Sequence, residues 1–201
     1  ETIRIVLFVA VAIVAFDFFP VTPIQIVLLA ILNDAAILTI AYDRVRPSPR
    51  PERWHLHEVL TIATVLGLVG VVSTFVLLWV GHVPLGLSDA ELRTLIYLKL
   101  SVAGHLTLFV ARTRERLWSY RPAWIVLIAV IGTQVVATLI AVEGALMKPL
   151  EWGLVGFAWG YAIIWMLLLD QLKLWTYAWL ERRSPSHAGS TDGAQLEARA
   201  R

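Results

Sequence analysis

Apolar residues along this chain run in long unbroken blocks rather than alternating, and short polar breaks separate the blocks. Counting between breaks gives six candidate spans, roughly 1–16, 24–42, 58–80, 93–111, 122–143 and 152–172. A helix needs roughly 20 mostly apolar residues to cross about 30 Å of hydrocarbon, and most of these runs reach that length. The first break, "FDFFPVTP", holds two prolines and an aspartate and cannot continue a helix. The breaks are too short to hold a folded domain. The pattern therefore predicts an all-α membrane protein, a bundle of six transmembrane helices spanning residues 1–180, followed by a tail over 181–201. "SPSHAGSTDGAQLEARAR" in that tail is small, polar and aperiodic, and is expected to be disordered.

Composition agrees with the pattern. The 201 residues are 58% hydrophobic and 16% charged, against about 25% charged in soluble domains. The net charge of only +2 gives no footprint for nucleic acid. No cysteine is present, so disulfides and thiolate ligands are excluded. The opening segment "ETIRIVLFVAVAIVAF" would extend only about 24 Å as a helix. Glu1 and a single Arg4 make a poor basic leader for a signal peptide. The segment is better read as the outer part of a longer helix belonging to a larger protein.

Charge then orients the spans. Arg44, Arg46, Arg50 and Arg53 follow span two; Arg112, Arg114, Arg116 and Arg121 follow span four; Lys173, Arg182 and Arg183 lie at or beyond the end of span six. The opposite loops offer only Arg93 and Lys148. The positive-inside rule puts the arginine-rich loops and the C-terminus in the cytoplasm of a multi-pass protein. Trp54, Trp79, Trp118, Trp124, Trp152, Trp175 and Trp179 lie near span ends, as interfacial anchors do. Trp159 and Trp165 are deeper and are expected to pack helices, and Gly153, Gly156 and Gly160 permit close helix approach. "RPSPRPERW" reads as a stiff, extended connector.

The candidate chemistry lies inside the spans. Asp34 falls about ten residues into span two, roughly 15 Å deep and near the midplane. A carboxylate there costs about 2.5–3.5 kcal/mol on insertion scales and marks an ion or proton path by default. Arg4 lies roughly 18 Å from the outer end of span one, at matching depth. A dry surrounding favours a neutral acid and a nearby cation favours the carboxylate, so a site that alternates between the two takes up and releases a proton. A structural ion pair that offsets two burial costs is the alternative for the same residues. No metal-ligand set accompanies Asp34, which favours a proton over a divalent cation. Lys99 and His105 are six residues apart and share no face, and read as a snorkelling lysine and a packed histidine. Thr133 and Gln134 are expected to bond neighbouring helices, Asp170 to pair with Lys173 at i+3, and Asp43 to mark a span boundary.

"TIRIV" (2–6), "AILND" (30–34), "DRVRPSPRPERW" (43–54), "LFVARTR" (108–114) and "TQVVATLIAV" (133–142) together resemble the C-terminal membrane region of plasma-membrane-type P-type proton-transporting ATPases. The resemblance implies that the six spans are the fifth to tenth transmembrane helices of a ten-helix pump in the plasma membrane. It implies that Asp34 binds the proton, that Arg4 is its electrostatic partner in outward release, and that Asn33 is a supporting polar residue where the second helix is locally unwound near its middle. Ala35 and Ala36 depart from the glycine and threonine common there, and alanine favours continued helix.

The Asp-Lys-Thr-Gly-Thr phosphorylation motif and any nucleotide-binding segment are absent from these residues. The chain itself therefore carries no catalytic residue, metal or cofactor. Mg-ATP would be used by the parent protein, and the implied partners are the bilayer, the proton, and the N-terminal helices and cytoplasmic ATP-hydrolysing domains of that protein. The expected function is the membrane half of an ATP-driven proton export pump. The alternatives are a P-type pump for another cation and a non-transporting helical support.

Overall fold

The structure, a computed structural model, describes residues 2–43, 56–119 and 121–183. The described residues are all helical, without strands: α1 (Thr2–Phe16), α2 (Pro23–Leu38), α3 (Leu56–His82), α4 (Asp89–Ala111), α5 (Trp124–Glu143) and α6 (Trp152–Arg183). A single 3₁₀ turn, Thr39–Tyr42, extends α2. Five of these, counting α2 with its extension, are long and apolar enough to cross a membrane, and α1 is a shorter apolar helix of 15 residues. The connector around Arg44–Arg53, with Trp54, and the tail after Arg183 lie outside the described residues.

Local chemistry sets the helix ends. Thr22 and Gln25 form a reciprocal capping box before Pro23: Gln25 Oε1 accepts from the Thr22 N–H at 2.8 Å, and Thr22 Oγ1 accepts from the Gln25 N–H at 3.4 Å. A second box, Ser88 with Glu91, starts α4 at Asp89, earlier than the apolar run beginning near 93 predicts. The Ser-x-x-Glu signal was there in the sequence, because such a box satisfies two backbone donors that a helix start otherwise leaves bare. α5 ends on Gly144 in the left-handed region at φ 71°. A β-carbon there would also lie 2.8 Å from the Pro149 ring, so only glycine closes this turn.

α4 is the central helix. It packs against α2, α3, α5 and α6, while α1 packs chiefly along α3. Leu92, Leu95, Ile96, Leu98 and Leu100 of α4 are all buried, so this helix shows no outward stripe. α1 and α2 follow one another in sequence, yet α2 lies along α4 and α5. The short turn between them does not make them a principal packed pair, because the buried faces of both helices meet the α3–α4 core.

Two further expectations change. α2 is continuous through Asn33 and Asp34, and it leaves α geometry only at Thr39, whose Oγ1 donates to the Ala36 carbonyl at 2.7 Å. Ala35 and Ala36 carry the helix through the expected break. Gly153, Gly156 and Gly160 face open space, with nothing within 4 Å of a β-carbon at any of them. Close approach is instead made by α3, where Gly67 and Gly70 receive Ile3 and Arg4 of α1.

Buried ion pairs tie the arginine-rich end together. Arg112 Nε donates to Asp43 Oδ2 at 2.8 Å, and Asp43 Oδ1 accepts from the Ala123 N–H at 2.8 Å. Asp43 thereby joins the ends of α2 and α4 to the start of α5, more than a boundary residue does. Lys173 Nζ lies 2.8 Å from Asp170 Oδ1, the i+3 pair expected, and also donates to the carbonyls of Val110 and Glu115. It covers the Val110 carbonyl, which the last turn of α4 leaves open, and ties down the segment after that helix.

Candidate transport site

Polar side chains gather along α4 and on the helices that touch it. Arg4, only 3% exposed, runs from α1 across α3 and directs Nη2 to the Leu100 carbonyl at 3.5 Å. The absence of a side chain at Gly70 makes this path possible, since a β-carbon there would lie 2.5 Å from Arg4 Cδ. Beside it, Lys99 Nζ donates to Thr74 Oγ1 at 2.6 Å, and Thr74 Oγ1 donates to the Gly70 carbonyl at 2.8 Å. Two cationic side chains thus enter the same α1–α3–α4 junction.

Lys99 corrects the snorkelling expectation. It lies ten residues from Asp89 and twelve from Ala111, roughly 15–18 Å from either helix end. No lysine stem reaches that far. The lysine is 1% exposed and held inside the bundle. The signal was its central position in the apolar run.

His105 is 2% exposed and sits within a hydrogen-bonded group on α4 and α5. Its Nδ1 lies 2.9 Å from the Ser101 carbonyl and 2.6 Å from Gln134 Nε2, and its Nε2 lies 2.8 Å from Thr133 Oγ1. Gln134 Nε2 also donates to Ser101 Oγ at 3.1 Å. Thr133 and Gln134 do bond a neighbouring helix, and the packed histidine is the residue they bond.

Asn33 is buried and turned toward α4, where it lines a cavity of about 410 Å³ together with Ala36, Ile40, His105 and Arg112. Asn33 and His105 line this cavity together, as do Ile40 and Arg112 near the ends of the two elements. Asp34, the next residue, faces the other way. It is exposed, on a stripe of exposed apolar residues formed by Ile24, Val27, Ile31 and Leu38. These positions repeat at three and four residues, the spacing of one helix face. The structure therefore brings Asn33 to His105 and Arg4 to Leu100, and sets Asp34 on the outer face of α2.

Comparison with known proteins defines the family first. The family model described as cation transporting ATPase, C-terminus, matches residues 18–175, and this chain belongs to that family. A relative from Methanocaldococcus jannaschii is 46% identical over 175 residues, 87% of this chain and 22% of its own length. Its assigned name, cation-transporting ATPase MJ1226, is itself provisional. The chain spans about a fifth of that relative.

Proposed function

We propose that this chain is the membrane half of an ATP-driven proton export pump, with Asp34 as the proton carrier and Arg4 as its electrostatic partner. The observation that carries the proposal is the stripe on α2. Four of its exposed positions are apolar and the fifth, at mid-span, is a carboxylate. Left against lipid, that group costs about 2.5–3.5 kcal/mol. That cost is avoided if further helices cover this face, and the rest of the full-length protein would supply them. Asn33 and the cavity behind it give the same turn of α2 a polar inner side.

In this scheme ATP hydrolysis with magnesium takes place in the remainder of the protein, and the helices alternate the surroundings of Asp34. Moving one charge against 100 mV takes about 2.3 kcal/mol. Arg4 is fixed in the bundle by Gly70 and the Leu100 carbonyl. It can therefore present a stationary positive charge while the carboxylate loads and unloads. In this reading the C-terminus lies in the cytoplasm of a plasma-membrane protein, and the positive-inside rule applied to the arginine-rich ends supports that orientation.

The family match supports cation transport. Inside-out vesicles carrying the full-length protein should acidify on addition of Mg-ATP without added metal cations. ATP hydrolysis that is stimulated by one metal ion and unaccompanied by acidification would assign a different cargo.

A further inference from the structure

His105 is a titratable group in the middle of the bundle that the scheme above does not use. It separates two cavities, the one of about 410 Å³ shared with Asn33 and one of about 660 Å³ lined by Gln134, Thr138 and Trp159. Its partners fit two protonation states. The Thr133 hydroxyl donates to the Ala129 carbonyl at 2.8 Å. With that donation a lone pair faces the ring, and the scheme below has Nε2 protonated in both states. In the neutral ring Nδ1 accepts from the Gln134 amide at 2.6 Å. In the cationic ring Nδ1 donates to the Ser101 carbonyl, already 2.9 Å away.

Gln134 makes the exchange possible. Its Oε1 is buried and has no hydrogen-bond partner among the described residues. Turning the amide over gives up the contacts of Nε2 with Nδ1, the Ser101 hydroxyl and the Ser101 carbonyl, the last at 3.2 Å, for an oxygen that can accept from Nδ1–H and from the hydroxyl.

We propose that His105 is a second proton-binding site of the transport domain, loaded through the cavity it shares with Asn33. The inference rests on the proton-pump assignment above. The proton adds to the Nδ1 lone pair and nothing leaves. The elements packed against the site bring these charged and titratable groups. Asp43, beyond α2, is paired with Arg112 of α4; Asp34 on α2 faces away from the ring; Lys99 lies on α4 itself; and Arg4 reaches the Leu100 carbonyl from α1. His57, Glu58 and His82 lie toward the ends of α3, Glu143 ends α5, and the Asp170–Lys173 pair belongs to α6.

The test is the pH profile of ATP hydrolysis by the full-length protein in vesicles, with acidification recorded alongside. The profile should contain a limb between about pH 5 and 8 that His105→Gln removes. Gln134→Glu sets a carboxylate against Nδ1, favours the cation, and should move that limb upward by about one pH unit or more. A wild-type profile without such a limb, or a limb untouched by Gln134→Glu, overturns the site. Should His105→Gln fail to fold, Gln134→Glu alone decides. Wild-type vesicles that do not acidify refute the pump assignment whatever the limb does, and an unmoved limb refutes this site whatever the acidification shows.

Discussion

Gly70 and Arg4 are fitted to one another: the arginine stem crosses α3 through the space that a side chain on this glycine would fill, with Cδ 2.5 Å from the position of a β-carbon. The guanidinium reaches the Leu100 carbonyl only because that space is open. Gly70→Ala should therefore displace Arg4 and overpack the α1–α3 contact, at about 1–3 kcal/mol. Thermal unfolding of the purified full-length protein in detergent would show a lowered midpoint. An unchanged midpoint would mean that α1 yields freely and that Arg4 is not fixed here.

Removing the charge itself is a separate prediction. Arg4→Ala deletes the fixed cation that the proposed scheme uses during outward release. Without it protons should return more easily. Vesicles carrying this variant should lose a preformed pH gradient faster than wild type. Equal leak rates would make Arg4 a structural residue.

Much of the fold was legible in the sequence, because a bilayer imposes length and apolarity on every crossing. The six apolar runs became six helices, and the ends that differ did so for local reasons. Ser88 and Glu91 start α4 early, and α6 runs on to Arg183 after Lys173 turns inward to cover the end of α4. Arg4 and Asn33 were visible as buried polar residues. The partners of Lys99 and His105 were not, since periodicity reports which face is apolar and not which helix lies opposite. A helix as enclosed as α4 has no polar face for the pattern to show. The depth of Asp34 followed from counting residues, whereas its outward direction depended on α2 lying against α4 and α5.

Asp43 and Arg112 provide a third prediction. Both side chains are nearly buried and they meet at 2.8 Å. Removing one partner of a buried pair is strongly destabilising, at about 3–5 kcal/mol. Asp43→Asn should lower the unfolding midpoint and loosen the start of α5, whose Ala123 N–H the carboxylate accepts. Replacing both residues by apolar ones should recover much of that loss. A double variant no better than the sum of the two single ones would show that the pair is not coupled.

Lys99 and Thr74 supply a fourth. Thr74→Val removes the hydroxyl that accepts from Lys99 Nζ at 2.6 Å while keeping the shape of the side chain. The cost should be about 1–3 kcal/mol. Lys99→Met keeps the stem and deletes the ammonium, so in that background Thr74→Val should cost less. Additive losses in thermal unfolding would contradict the contact.

The central claim concerns the carboxylate of Asp34, and acidification of inside-out vesicles by Asp34→Asn full-length protein tests it most directly. The asparagine keeps size and hydrogen bonding but cannot take up and release a proton near neutral pH. The claim predicts that Mg-ATP leaves the lumen of these vesicles at the starting pH, while wild-type vesicles acidify. Acidification at the wild-type rate by the asparagine variant would contradict it.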